Sequence, residues 1–410
     1  MQVLSADYLL ICDKEFKIIK NGAVCFDEKI IQTGKKEELF KKYENCKKEY
    51  LGKNSILMPS LINTHVHLEF SANKTTLKYG DFITWLQSVI RYRDTLQNGC
   101  KEECYKNAVN EMLKSGTGAF GEISSKGDDL DICVKTPQKV VFFNEVLGSQ
   151  PSVVDALYQD FLNRLNESKK YSNDRFYPAI SVHSPYSTHP ILAKKVLRIA
   201  KEENMRVSTH FMESLAEREW IDKAEGDFLK FFENFIPNSK PMSNGISYLK
   251  LFDGVKTLFT HGVYATKEEL EMIKERGFIT HCPVSNRLLN NSLLDLNLLE
   301  EVGCDYNIAT DGLSSNISLN LWNELRCALL MQTKRDLSKT AKELLTAATR
   351  NGASALKLES GTLEKDKDAD IIAFRLPEFS DEDQLPIQII LHTNQVEKLF
   401  INGEEQCLSL

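Results

Sequence analysis

Residues 61–70 read LINTHVHLEF, an apolar run that carries two histidines one residue apart. With eight histidines in 410 residues, random placement gives roughly 0.2 His-x-His pairs, so the motif alone decides little. Its setting decides more. Side chains alternate faces along an extended strand, which puts His65 and His67 on one side, here the inside of a buried element. Two buried imidazoles need partners, because an unpaired polar group costs free energy and two protonated rings repel. Hydrogen bonds to carbonyls would satisfy them, and for the pair in isolation that plainer reading has the better odds. A divalent cation held by the neutral rings would satisfy them as well.

Outward from this stretch the same kind of run recurs. ILMPSLINTHVH (56–67), GTGAFGEI (116–123), KVVFFNEV (139–146), FYPAISVH (176–183), RVSTHF (206–211), TLFTHGV (257–263), FITHCP (278–283) and DYNIATDG (305–312) are short, apolar and β-branched. Amphipathic stretches such as ILAKKVLRIAKEE and KEELEMIKERG lie between them. Alternation of buried strands with helices is the pattern of an α/β parallel sheet. Eight repeats predict a closed (β/α)8 barrel; an open doubly wound sheet is the alternative, but its glycine-rich phosphate loop is missing after the first run. Both chain ends read differently: GAVCFDEKIIQTG, ADIIAFRL and VEKLFINGE alternate over short segments, as small antiparallel strands do. At 410 residues the chain exceeds what one core organises. The expectation is a barrel over residues 57–359 and a small β-sandwich formed jointly by residues 1–56 and 360–410.

Active sites of such barrels gather at the C-terminal ends of the strands. His65 and His67 lie at the end of the first run, His183 of the fourth, His210 of the fifth, His261 of the sixth, His281 of the seventh and Asp311 of the eighth. His210 and Asp311 reverse the odds on the opening pair, in favour of a metal. His189 and His392 match no motif and read as surface residues.

The bulk composition excludes several function classes. An apolar fraction of 42% and a charged fraction of 27% describe an ordinary globular chain. A net charge of −7 without a basic, aromatic-laced stripe argues against a nucleic-acid partner. No window approaches eighteen uncharged apolar residues and no signal peptide opens the chain, so no membrane partner and a cytoplasmic location are expected. Ten scattered cysteines fit reduced thiols. Cys100 and Cys104 stand i, i+4 without a second pair, which makes a poor zinc site.

The motifs PSLINTHVHLE, VHSPYST, STHFMES, FTHG, THCPVSN and ATDGLSSN follow one another, with GTLEKDKDADIIAF near the end. On these the chain resembles the amidohydrolase superfamily, in the branch of cytosine, guanine and S-adenosylhomocysteine deaminases and triazine hydrolases. The resemblance implies that His65, His67, His210 and Asp311 ligate one metal ion while Glu213 and His261 stand over the attacking water. Three imidazoles and a carboxylate suit Zn2+, with Fe2+ second, and leave a coordination position open. Two-metal relatives generally carry a carboxylated lysine or a glutamate at the fourth strand, where this chain has His183, so a single ion is implied. Asp311 would take the water proton, Glu213 would protonate the ring nitrogen beside the attacked carbon, and His261 would orient the attack and stabilise the oxyanion. Glu213 also reads more plainly as an acidic residue favoured at a helix N-terminus. His281 reads equally as support for the site or as a substrate contact.

LEFSANKTTLKYGDFITWLQSVI is most similar to the aminofutalosine deaminases, which hydrolyse the adenine amino group of 6-amino-6-deoxyfutalosine on the way to menaquinone. That likeness implies a nucleoside site lined by Glu69, Phe70, Trp85 and His183, although Trp85 also fits simple packing of a helix on the barrel. Arg287, where the family more often runs SNLKL, is the candidate partner for the substrate carboxylate; the plainer reading is a surface arginine. Deamination of S-adenosylhomocysteine or methylthioadenosine, or triazine-type hydrolysis, would use the same centre. A non-catalytic scaffold is disfavoured because all four ligand positions are filled. The expected partners are a small nucleoside and water, with a homodimer as one assembly open to the chain.

Overall fold

A computed structural model describes residues 1–99, 102–234, 239–378 and 381–408. Eight parallel strands lie in chain order: β1 (Leu61–Val66), β2 (Thr117–Ser124), β3 (Lys139–Val146), β4 (Phe176–Val182), β5 (Val207–Phe211), β6 (Thr257–His261), β7 (Gly277–His281) and β8 (Tyr306–Ile308). Every residue of β2 and β3 is buried, as strands covered on both faces require. The round is completed between β8 and β1, where the Asp311 N–H donates to the His65 carbonyl at 3.0 Å and the Thr64 hydroxyl to the Ile308 carbonyl at 3.4 Å. Helices follow as the sequence patterns require: Pro190–Glu202 covers PILAKKVLRIAKE, and Lys267–Arg276 starts at a capping box between Thr266 and Glu269.

Two runs end differently from expectation. Residues 56–67 belong to two strands: Ser55–Pro59 pairs with Gln2–Leu10 and Ile371–Arg375 in the second sheet, and the chain then crosses to β1. The pivot is Ser60, whose N–H donates to the Asp370 carbonyl at 2.9 Å. Both halves are fully buried, so hydropathy carries no mark of the change of sheet. The eighth run shortens to Tyr306–Ile308 because the chain turns at Asp311, which has a φ of 59°.

The second sheet has eight strands drawn from both chain ends, with Ile371–Arg375, Lys398–Ile401 and Glu404–Glu405 supplied by the C-terminal one. One of its faces packs Leu4, Leu9, Val24, Phe26 and Phe400 together, while Leu10, Ile56 and Met58 face the barrel's own core. Helix Phe82–Gly99 lies against Asp227–Glu233 and Pro283–Asn290. Segments that follow β1, β5 and β7 therefore meet over the C-terminal mouth. Among the described residues no helix is long and apolar enough to cross a membrane. Cys12, Cys25, Cys133 and Cys282 are buried thiols, as expected. Cys104, however, is disulfide-bonded, an exception to the expected thiols, and Cys100 lies outside the described residues.

The two sheets are tied together by a buried ion cluster. Lys139, opening β3, places its ammonium 2.7 Å from Asp370 and 2.8 Å from Asp368. Lys139 and Asp370 are each 1% exposed. Burial by itself would lower the lysine's pKa, yet the two carboxylates outweigh it and the group stays charged. Breaking such a cluster leaves an uncompensated buried charge. Lys139→Met is predicted to lower stability by about 3–5 kcal/mol in urea denaturation; a loss below about 1 kcal/mol, the usual worth of an exposed pair, would show that the cluster does not bind the sheets.

Candidate active site

At the C-terminal mouth three imidazoles converge. His65 Nε2 lies 3.2 Å from His67 Nε2, which lies 3.4 Å from His210 Nε2. Asp311 Oδ1 stands 3.8 and 3.7 Å from the first two. At two of the rings the far nitrogen has a hydrogen-bond partner. His210 Nδ1–H donates to the His183 carbonyl at 2.9 Å, leaving Nε2 as a bare acceptor, and His65 Nδ1 meets the Thr260 hydroxyl at 3.2 Å. Burial first, then the neighbouring imidazoles, holds His65 well below the usual range and His210 down to about 3. Acceptor lone pairs aimed at one point repel unless a cation lies between them. Ligand atoms held tetrahedrally at about 2.0–2.1 Å from an ion stand about 3.3–3.4 Å apart, close to the spacing found here. The donor set therefore fits one divalent ion held by His65, His67, His210 and Asp311.

The carboxylate arm is prepared by its loop. Asp311 Oδ2 accepts from the hydroxyls of Ser285 (2.9 Å) and Ser315 (2.7 Å), and Oδ1 from the Gly312 N–H at 2.8 Å. Burial alone would raise its pKa, but the imidazoles of His67, His261 and His210 outweigh that and hold it low. The loop lies directly on His67: a Cβ added at Gly312 would sit 2.7 Å from the His67 Cβ and 2.9 Å from its carbonyl oxygen. Only glycine leaves room for that approach.

Glu213 and His261 face each other beside this cluster, with Glu213 Oε1 3.5 Å from His261 Nε2. His261 Nδ1–H donates to Asn286 Oδ1 at 2.8 Å, so Nε2 is an acceptor, buried and without a hydrogen-bond partner among the described residues. Burial pushes the Glu213 carboxyl well above the usual range, and Asp311 and Glu217 add to it. The backbone that carries these groups is strained: φ is 49° at Met212, 75° at His261 and 59° at Asp311. Left-handed backbone at bulky residues persists where surroundings over-determine it. At Met212 the determinant is Glu217, a fully buried carboxylate that accepts the N–H groups of Met212 (3.1 Å) and Glu213 (2.8 Å). The sequence carries its signature as a capping box, Ser214-Leu-Ala-Glu217, and Ser214 Oγ does accept the Glu217 N–H at 3.1 Å. The carboxylate reaches past the cap residue to the two before it.

A cavity of about 310 Å³ opens beside the imidazoles. His67, His210, Glu213, His261 and Asp311 line its floor; Glu69, Phe70, Trp85 and His183 line its walls, together with Leu86, Val89, Arg93, Ser125, Glu145 and Tyr186. Trp85 also serves packing, donating its indole N–H to the Ser314 carbonyl at 2.9 Å. His183 is held neutral, lowered to about 3 by burial and then by His67 and Arg93. Its Nδ1 meets the Ser187 hydroxyl at 2.6 Å.

Arg287 does not join them. It is exposed on helix Pro283–Asn290 and absent from the cavity wall; its charge acts on the Cys327 thiol. The helix begins directly past Cys282, at the end of β7, and its turn carries residue 287 outward. His281 stands behind the site: its ring approaches Asn286, the partner of His261. His189 caps helix Pro190–Glu202, accepting the Ile191 N–H, and His392 is exposed. Arg93, Ser125, Glu145, Glu217 and Asn286 were not legible as site residues from motif spacing.

Two outcomes test this arrangement. Elemental analysis of the purified protein is predicted to find one divalent ion per chain, and His67→Ala to lose it. Glu217→Gln, which offers one amide oxygen where a carboxylate accepted two N–H groups, is predicted to lower kcat about 10–100-fold with the ion retained. Full activity in that variant would remove Glu217 from any part in setting Glu213.

The amidohydrolase family model matches residues 56–405. An aminodeoxyfutalosine deaminase of a Nitratiruptor species is 47% identical over 95% of this chain and 96% of its own length. An adenosine deaminase of Helicobacter pylori is 37% identical over 98% of this chain and 99% of its own. The crystal structure of Helicobacter pylori aminofutalosine deaminase in complex with methylthio-coformycin superposes with a TM-score of 0.95 at 36% identity, covering 99% of this chain and 100% of that one. By motif order, barrel architecture and these likenesses, the chain belongs to the amidohydrolase family.

Proposed function

We propose that this protein is a metal-dependent hydrolytic deaminase of an adenine nucleoside, converting 6-amino-6-deoxyfutalosine to futalosine and ammonia in menaquinone biosynthesis. The observation that carries the reading is that His65, His67 and His210, with Asp311 Oδ1 3.8 and 3.7 Å from the first two, stand beside a facing Glu213–His261 pair at the floor of one cavity. The 47% identity to an aminodeoxyfutalosine deaminase supports the choice of nucleoside. The ion is taken as zinc and the compartment as the cytoplasm. The reading keeps a catalytic barrel running to 359 and a smaller unit of both chain ends, with the first boundary moved from 56/57 to Ser60, where the chain leaves the second sheet.

When bound, a divalent ion at this cluster supplies Lewis acidity that brings water toward hydroxide near neutral pH. The residues of the chain do the rest. Asp311, kept ionised, takes a proton from the attacking water. His261, its Nδ1 proton committed to Asn286, offers Nε2 to a hydrogen of that water; once protonated it donates to the oxygen on the attacked carbon. Glu213, whose burial favours the protonated form, gives its proton to the purine nitrogen adjacent to that carbon. Asp311 passes the water proton it took to the former amino group, which leaves as ammonia; the C–NH2 becomes C=O, and the proton on His261 Nε2 returns to Glu213, 3.5 Å away. Phe70 and Trp85 supply apolar walls for the purine, and His183 a neutral polar contact.

Two measurements test the reading. Ammonia release from a panel of adenine nucleosides is predicted to give the highest kcat/KM with 6-amino-6-deoxyfutalosine; a preference for adenosine or methylthioadenosine would replace the substrate but keep the chemistry. Glu213→Gln is predicted to keep the ion and lose roughly 10²–10⁴-fold in kcat, the worth of general acid–base catalysis. Retention of more than about a tenth of the wild-type rate would exclude Glu213 as the proton donor.

A further inference from the structure

The cavity wall holds a single arginine or lysine, Arg93, among its described lining residues. It stands beyond Trp85 on helix Phe82–Gly99, and Trp85, Leu86, Val89 and Ile90 precede it along the wall. Around it the charges are negative: Glu69 and Glu145 share the Ser125 hydroxyl at 2.7 and 3.0 Å. Glu69 meets Arg93 end-on, one nitrogen at 3.5 Å, while its other oxygen is turned to Ser125. The guanidinium's paired donors are thus not engaged fork-to-fork by Glu69, and its buried Nε has no partner among the described residues. A fork of N–H donors with one long contact and a buried unpaired nitrogen is an arrangement completed by a further acceptor.

The approach to Arg93 is apolar. Ile90 is 52% exposed at the mouth, and Phe231 and Phe232 line the same cavity. These apolar side chains on one cavity wall offer contact area to a flat apolar group entering the site. An apolar passage ending at this guanidinium fits an aromatic spacer that carries a carboxylate, since the fork matches a planar carboxylate with two parallel hydrogen bonds.

We infer that Arg93, which lines the cavity where Arg287 does not, is the specificity-determining residue that reads a carboxylate at the 5′ end of the nucleoside. The inference rests on the proposed deaminase reading and extends it to the substrate's tail. Glu69, held by Ser125, keeps the guanidinium facing the cavity. The carboxylate displaces water from it and leaves the Glu69 contact in place.

The test compares wild type, Arg93→Gln and Arg93→Lys on three compounds: 6-amino-6-deoxyfutalosine, its carboxamide, and 5′-methylthioadenosine. KM and kcat are read separately, with metal content and thermal midpoint as controls for folding. In Arg93→Gln, KM for the carboxylated compound is expected to rise about 10–100-fold more than for the two neutral ones, the range of a hydrogen bond to a charged group, with the change carried by KM and not kcat. Arg93→Lys should recover part of that difference. Equal loss on all three compounds would mean that Arg93 serves the ribose or holds Glu69, and would overturn the inference, as would no loss on any. Wild-type turnover of the panel reports on the deaminase reading, while the carboxylate-to-carboxamide ratio in the variants reports on Arg93, so the two can fail separately.

Discussion

Three imidazole nitrogens that converge on one point, those of His65, His67 and His210, set the constraint on which the rest of the molecule turns. Burial keeps His65 and His210 from taking up protons, so the close approach of the rings is not relieved at those two. The barrel holds them there because the strands bearing them cannot slide: β1 is fastened to the turn after β8 through the His65 carbonyl and the Asp311 N–H. The same hydrogen bond that completes the round sets the carboxylate beside the imidazoles. Architecture and ligand geometry are one feature at this point.

Around the cluster, strain and its compensation are local. Left-handed backbone at Met212, His261 and Asp311 places the three chemically active segments in conformations their side chains disfavour. Each is held by buried polar groups: Glu217 on the Met212–Glu213 amides, Asn286 on the His261 ring, Ser285 and Ser315 on Asp311. These supports come from segments after β5, β7 and β8, so the site draws its rigidity from several loops at once. A carboxyl, an imidazole and a carboxylate with differently shifted affinities for protons then face one cavity, the condition for dividing acid and base roles among neighbours.

The cavity separates two tasks. Its floor carries the polar chemistry, with its groups held by second residues; its wall along helix Phe82–Gly99 is apolar until Arg93. The helix belongs to the long connection between β1 and β2, outside the barrel's strands.

Much of this was legible in the chain itself. Eight recurring apolar runs pointed to the barrel and placed six histidines and Asp311 at their ends; the choice of His65, His67, His210 and Asp311 among them as candidate ligands came from the family resemblance of the motifs. Glu213 and His261 came from the same resemblance; His261 also ends a run, and Glu213 follows His210 by three residues. What hydropathy could not carry was the break at Ser60, where one apolar run serves two sheets, since both environments are equally dry. Arg287 lies outside the cavity wall: its position after the seventh run gives distance from the strand but not direction, and the helix beginning at Pro283 turns it outward. Arg93, Ser125, Glu145 and Glu217 lie on elements far apart or within helices, where residue type at a given spacing does not distinguish a solvated charge from a buried one. Tertiary structure decided these, because a group's role there depends on which other elements exclude water from it.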